Sequence, residues 1–460
     1  MGSRVAVRTL LIGLATAAIC EACNRTSQPS ISGVVIVTLD TTRADRLSPY
    51  GFMDVATPAL DRLARDGIVF ERAMSVAPVT LPAHTSLFTG LFPPGHGVRD
   101  NSDEALDGKH VTLAERLRAA GFHTAAFVGS AVLASSRGLA QGFDTYDGPP
   151  QHGLANQRGQ RRAAEVIADA TAWLEKSSAD RFFLWAHIYD PHRPYDPSGP
   201  FRSKHVDPHV GEILAADAAL GQLMNTLEQR KLLGETIVIV AGDHGESLGE
   251  HGERDHGVFM YDSVMRVPLI MRVPGLVPGR SGVQVRLIDV MPTLLDLLNL
   301  PASKEADGVS LSGLLRGTQT MPELDAYGES RYPERLGWSP LFALTGGRYK
   351  LIDAPRPELY DLQRDPFEER NIHGDRPMVA AAMHARLDAL RRRGSGQATL
   401  STTGVTADQR ERLAALGYAS GGRSGTGSEP RPDPKDCIGL LNTFTDGASA
   451  RAVQPLVPCR

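Results

Sequence analysis

The stretch Thr236-Ile237-Val238-Ile239-Val240-Ala241, followed at once by Gly242-Asp243-His244-Gly245-Glu246, is a short apolar run that stops at a carboxylate and an imidazole. Its length and β-branched content mark a strand buried on both faces. Gly33–Leu39, Phe122–Val128, Phe182–Ile188 and Val267–Val273 read the same way. Between these runs lie stretches of helical character: Ala59–Asp66, Val111–Ala120, Arg161–Glu175, Glu212–Gln229 and Arg286–Leu298. Such alternation predicts an α/β domain with a large, mainly parallel sheet sandwiched by helices. Ligands of such sheets sit outside the carboxyl ends of the strands. Asp40 follows the first strand and Asp243 the fourth, so two acids from distant parts of the chain are expected to converge on one edge.

The chain has 460 residues, 42% apolar and 22% charged, enough to bury a large core. A net charge of −4 with both signs interspersed excludes the basic face that a nucleic-acid surface needs, so no nucleic-acid partner is expected. The N-terminus reads as a targeting segment: Arg4 and Arg8 precede an apolar run, Thr9 to Ile19, that is short for a bilayer span. Cys20 and Cys23 follow among small residues, a loose match to the acylation site of a bacterial lipoprotein. The expectation is an exported protein, periplasmic or a membrane-anchored lipoprotein in a bacterium, with an uncleaved N-terminal anchor as the other reading. The remaining cysteines are Cys437 and Cys459, so the core between Asn24 and Lys435 has no disulfide, no zinc–thiolate site and no cysteine nucleophile.

The expected organisation is a signal or anchor segment over 1–30, a catalytic α/β domain over 31–320, and a small C-terminal α+β subdomain over 321–395. Within the subdomain Tyr349–Ile352 and Glu358–Leu362 read as strands and Pro377–Arg393 as a long helix. From 396 to 460 the composition shifts to Gly, Ser and Thr, and a flexible tail is expected there, with Gly421–Pro434 a linker.

Thr80 lies next to Leu81-Pro82, and proline suits the first turn of a helix, here expected over Pro82–Leu87. Thr80 then reads as a capping threonine, or as a hydroxyl in an anion-handling site at a helix N-terminus. Asp243 and His244 offer hard and borderline ligands to a divalent cation, or form a solvated turn. Asp40 supplies a further carboxylate. No one of these elements decides the matter alone.

Taken in order, however, the segments resemble the sulfatase family of the alkaline-phosphatase superfamily. Thr80-Leu81-Pro82-Ala83-His84, continuing to Thr89-Gly90, is similar to its nucleophile signature. Thr38-Leu39-Asp40-Thr41-Thr42-Arg43 resembles its first metal motif, and Gly242-Asp243-His244-Gly245-Glu246 its second. Arg266-Val267-Pro268-Leu269-Ile270 with Pro274-Gly275 resembles the segment that follows, and Leu359-Tyr360-Asp361-Leu362 with Asp365-Pro366 and Asn371 its C-terminal signature. The resemblance implies an alkaline-phosphatase-like fold and a metal-dependent ester hydrolase. Arg412–Tyr418 and Asp433–Asp436 resemble the joint to helical repeats in some bacterial relatives.

The departures are as informative. Sulfatases carry a cysteine or serine converted to formylglycine where this chain has Thr80. His84 replaces the motif arginine, Thr41 the second of two paired aspartates, and Gly129-Ser130-Ala131-Val132 a Gly-Lys-x-His segment; His256 stands for a later lysine. What remains resembles phosphodiesterase, phosphonate-ester hydrolase and phosphoethanolamine-transferase relatives. That resemblance implies one divalent cation, manganese or zinc before calcium or magnesium, held by Asp40, Thr80, Asp243 and His244. It implies catalytic roles for Thr80, His192 and His256, and substrate contacts from Asn101, His84, His192 and His256, although His84 reads equally as packing beneath the nucleophile helix. His187 reads as a core histidine, His96 and His251 as structural, and Arg43 and Asp45 as an ion pair. The expected partner is an anionic phosphate or sulfate ester. A sulfatase acting by a formylglycine-independent route, a phospho-group transferase to a lipid or glycan and a non-catalytic binding protein are the rival readings.

Overall fold

The computed structural model describes residues 30–102, 104–149, 160–177, 179–394, 430–446 and 459. The targeting segment with Cys20 and Cys23, the loop 151–159, the linker before 430 and the stretch 412–418 lie outside the described residues.

In chain order, counting helices of seven residues or more, the elements are β1 (Gly33–Leu39), α1 (Pro58–Asp66), β2 (Ile68–Met74), α2 (Thr80–Thr89), α3 (Leu113–Ala119), β3 (His123–Val128) and β4 (Thr145–Asp147). There follow α4 (Ala163–Lys176), β5 (Phe182–Ile188), α5 (Pro208–Gln229), β6 (Thr236–Gly242), β7 (Arg266–Arg272), β8 (Gly279–Arg286) and α6 (Val290–Leu297). The C-terminal part holds β9 (Ala326–Ser330), β10 (Leu341–Thr345), β11 (Tyr349–Asp353), β12 (Glu358–Asp361), α7 (Pro377–Gly394) and α8 (Pro434–Asp446).

The first eight strands form one sheet in the order β4-β3-β5-β1-β6-β7-β2-β8. It is parallel from β4 through β6, and β7 runs antiparallel to both its neighbours. Strand pleat explains why both faces are covered, since successive side chains point to opposite sides. Val34, Ile36, Ile237, Ile239, Phe183 and Trp185 join the core under α2, α3 and α6. Val35, Val37, Val238, Val240, Leu184 and Ala186 join the core under α1, α4 and α5.

The five apolar runs are strands, with ends displaced by a residue at most. Three strands of the large sheet escape the apolar criterion. β2 carries Glu71 and Arg72, β4 is three residues long, and β8 is an edge strand whose first half is exposed or half-buried. The helix expected over Arg286–Leu298 begins instead as a single turn, Leu287–Asp289, before α6.

The C-terminal subdomain is a four-stranded antiparallel sheet, β12-β11-β10-β9, twice the strands expected. Part of the tail expected to be flexible is helix α8, whose Cys437, Ile438 and Leu441 pack into the core beside Phe259 and Tyr360. Cys437 is bonded to Cys459. Among the described residues no helix is long and apolar enough to cross a membrane. Buried Lys350 on β11 ties the subdomain to the large domain through Asp262 at 2.7 Å and pairs within the subdomain with Glu368 at 2.8 Å. Replacing it strands two carboxylates, so Lys350→Met is expected to cost about 3–5 kcal/mol, measured by denaturant unfolding.

Candidate metal centre and active site

Asp40 and Asp243 extend β1 and β6 by one residue, and these strands are paired in register, Leu39 with Gly242. Both carboxylates therefore emerge side by side from the carboxyl edge. Glycine is required after His244 because a Cβ on Gly245 would meet the Ser263 carbonyl at 2.1 Å. Thr41 turns through the left-handed region at φ 48°, unusual for a β-branched residue, and its N–H reaches Asp243 Oδ1 at 3.3 Å. Local strain at this loop thus serves to hold the second carboxylate.

The ligand atoms of Asp40, Asp243 and His244 lie within 4.8 Å of one another, and all three residues are buried. His244 Nε2 is 3.7 Å from Asp40 Oδ1, 3.6 Å from Asp243 Oδ2 and 3.4 Å from Thr80 Oγ1. Four residues from three separate segments thus meet as the motifs imply.

Helix α2 starts at Thr80 itself, two residues earlier than proline spacing suggests, with Val79 as the capping residue. The capping reading of Thr80 is therefore corrected: its side chain makes no cap and its hydroxyl turns to His244. Asn101 takes over part of that task, accepting the Leu81 N–H at 2.7 Å through Oδ1. Its Nδ2 is buried without a hydrogen-bond partner.

Asp40 Oδ1, Asp40 Oδ2 and Asp243 Oδ2 are likewise buried without a hydrogen-bond donor. Burial, reinforced at Asp243 by the neighbouring Asp40, pushes these carboxyls up to about 6 and about 7 respectively. Orphaned buried oxygens are costly, and two adjacent ones favour a shared counter-ion. Two carboxylates, an imidazole and a hydroxyl converging on one point fit a divalent cation.

The other expected site residues divide. His84 is not a substrate contact: Nδ1 lies 2.8 Å from the Thr80 carbonyl oxygen and Nε2 2.9 Å from Thr38 Oγ1, so both ring nitrogens are engaged inside the protein. His192 and His256 do approach the centre, with ring centroids 4.8 Å apart and that of His256 4.6 Å from His244. Burial pushes His192 down to about 3, which makes it a neutral hydrogen-bonding group and not an acid. His256 Nδ1 is held by Asp255 at 2.9 Å and Glu246 at 3.0 Å.

Those two carboxylates and His256 form a second cluster that sequence reasoning missed. It is a hydrogen-bonded unit, since Tyr195 Oη also donates to Glu246 Oε2 at 2.9 Å. His187, read as a core histidine, is fully buried in β5, and its Nε2 stands 3.4 Å from Asp40 Oδ2. The available signal was parity, since His187 is an even step from Trp185 and Phe183 and shares their face. His96 is structural, bonded to Ser86 Oγ at 2.9 Å, and Arg43 pairs with Asp45 at 2.8 Å.

A mainly parallel sheet with this metal-competent cluster and a hydroxyl at a helix N-terminus defines a hydrolase of the alkaline-phosphatase type. The chain belongs to the sulfatase family: the model named Sulfatase matches residues 32–300, and that of the N-sulphoglucosamine sulphohydrolase C-terminal region matches 249–393. It is 27% identical to the ulvan-active sulfatase of Formosa agariphila, over 75% of this chain and 78% of that one. It is 26% identical to the choline-sulfatase of Rhizobium meliloti, over 75% and 83%. The crystal structure of the phosphonate monoester hydrolase of Agrobacterium radiobacter shares the fold with a TM-score of 0.68 at 20% identity, covering 79% of this chain and 96% of that one.

Proposed function

We propose that the protein hydrolyses a phosphodiester or a phosphonate monoester through a covalent phosphothreonine at Thr80. The observation that carries this reading is the Thr80 hydroxyl, released from capping and set 3.4 Å from His244 beside two unsatisfied buried carboxylates. Asp40, Asp243, His244 and the Thr80 oxygen would hold a divalent cation, manganese or zinc ahead of calcium or magnesium, which would lower the pKa of the hydroxyl and draw charge from the ester oxygens.

Thr80 Oγ1 attacks phosphorus in line as the bond to the leaving oxygen breaks. Asn101 Nδ2, buried without a partner, donates to a substrate oxygen. His192, with Nδ1 against the Arg193 carbonyl oxygen, lines the site beside His256, and His256, fixed through Nδ1 by Asp255 and Glu246, protonates the leaving oxygen. Water then cleaves the phosphothreonine at phosphorus and restores the hydroxyl. A sulfated threonine has no comparable exit. Formylglycine escapes by eliminating sulfate from a gem-diol, which a plain alcohol cannot form. Threonine in this position therefore favours phosphorus over sulfur.

The leaving group has room beside the centre, in a cavity of about 720 Å³ lined by Arg161, Arg162, Tyr189, His192, Tyr195 and Glu212. Export fits both the basic and apolar N-terminus and the Cys437–Cys459 bond, which needs an oxidising compartment; recovery of the protein in the cytoplasmic fraction of its host would count against it. The substrate class is tested with full-length protein loaded with manganese or zinc. It is expected to turn over bis(p-nitrophenyl) phosphate and p-nitrophenyl phenylphosphonate faster than p-nitrophenyl sulfate. A preference for the sulfate would assign a sulfatase route independent of formylglycine, and transfer to an added alcohol would assign a transferase.

A further inference from the structure

Asn101 stands beside the nucleophile with three of its four polar groups already engaged. Its Oδ1 accepts the Leu81 N–H at 2.7 Å, and since that group can only donate, the amide oxygen is fixed there and Nδ2 faces away from it. The Asn101 backbone N–H donates to Asp100 Oδ1 at 2.7 Å, and its carbonyl oxygen accepts from Arg137 Nη2. Nδ2 is buried and has no hydrogen-bond partner among the described residues. An amide held on three sides cannot swing, so the direction of its remaining donor is set by whatever holds the backbone.

That hold comes from the second sheet. Asp100, itself buried, divides its carboxylate: Oδ1 takes the Asn101 N–H, and Oδ2 meets Arg335 Nε at 2.5 Å. Arg335 lies in the short turn of helix Tyr332–Leu336 that follows β9. One residue earlier in the loop, Arg99 grips Glu329 with both arms, Nε to Oε1 at 2.6 Å and Nη2 to Oε2. Such a planar fork fixes direction as well as distance. Glu329 is fully buried on β9, where Tyr327 Oη donates to it at 2.5 Å. Two consecutive side chains of the loop are therefore tied to one stretch of the C-terminal subdomain, Glu329–Arg335. Arg99 anchors the loop from outside, whereas Arg335 reaches the Asn101 backbone through a single carboxylate.

We propose, resting on the reading of Asn101 as a substrate contact, that Arg335 is a positioning residue which, through Asp100, sets where Asn101 presents Nδ2 beside Thr80. The C-terminal subdomain supplies none of the metal-competent cluster, yet it takes part in the chemistry by aiming this donor. A donor directed at developing charge works only if it is in place beforehand, so a small displacement is costly.

The test is a double-mutant cycle in full-length, zinc-loaded protein with bis(p-nitrophenyl) phosphate. Asn101→Ala is expected to lower kcat/KM by about 10²–10³-fold, as loss of one such donor does. Arg335→Met is expected to cost about 10²-fold with Asn101 present, and about twofold or less once Asn101 is alanine. Because Arg335→Met strands the Asp100 charge, Arg335→Met combined with Asp100→Asn is measured beside it. That pair removes the charge, keeps an acceptor for the Asn101 N–H, and is expected to show the same dependence on Asn101. Zinc affinity, from competition with a chelator, stays at the wild-type value throughout, since no ligand is touched. The same cycle read in the Kd of inorganic phosphate by calorimetry needs no turnover. Equal losses from Arg335→Met in both backgrounds make the ion pair a structural brace and overturn the proposal, as does no loss at all. Asn101→Ala with wild-type activity and phosphate affinity removes the substrate contact itself, and the proposal with it. Wild-type protein that neither turns over the ester nor binds phosphate removes the functional reading as well.

Discussion

Thr80→Ala is expected to lower kcat/KM on an aryl phosphodiester by about 10⁴-fold or more, because no neighbouring group can replace the attacking oxygen. The substitution removes a hydroxyl from the first turn of α2 and breaks no cap, since Thr80 makes none. Its backbone carbonyl still receives His84, so the variant keeps its fold and its thermal transition within a few degrees of wild type. Thr80→Ser retains an oxygen at the same distance and keeps a substantial part of the activity. Mass spectrometry of an acid-quenched reaction is expected to find phosphate on the peptide containing Thr80 in the wild type and none in Thr80→Ala. Unchanged turnover in Thr80→Ala would end the covalent scheme, whatever the metal content.

Metal removal has the second large effect. Stripping with a chelator is expected to abolish turnover, and returning manganese or zinc to restore it. Loss of a cation present at a hundredfold excess over its Kd removes about 2.7 kcal/mol of stability, on the order of 5 °C in Tm for a domain of this size. The size of the loss depends on pH with a definite sign. In the stripped protein burial raises Asp40 to about 6 and Asp243 to about 7, above their ordinary value of 3.8. The native state then holds protons that the unfolded chain has released. Stability from these groups is complete below about pH 4 and is lost as pH rises through 7. A cation reverses that loss, so the Tm difference between loaded and stripped protein widens from pH 5 to pH 8. Differential scanning calorimetry at both values checks this, and a difference that narrows toward pH 8 would contradict the shared-cation geometry.

Much of the site was legible because the chemistry sits in short contiguous motifs. Asp40 and Asp243-His244 each follow an apolar strand, and strand ends are visible from hydrophobic runs alone. Thr80 was located for a partly wrong reason: proline marks a first turn but does not say which residue caps it, and the cap is Val79. His84 was undecidable from sequence because its role depends on Thr38, which lies far off in the chain on β1. Glu246 was in view within its motif, yet its role in holding His256 required the fold of the loop between them.

The residues alone determined that β1, β5 and β6 are two-sided buried strands, because β-branched and apolar side chains on both pleat faces leave no face for water. They also settled that no thiol could serve as nucleophile in the core. Only the tertiary structure decided which strands are neighbours and in what register. In a parallel sheet any buried strand can pair with any other, and the apolar pattern is degenerate among them. Setting β5 beside β1 with Thr38 opposite His187 turned a histidine that reads as core into a neighbour of Asp40.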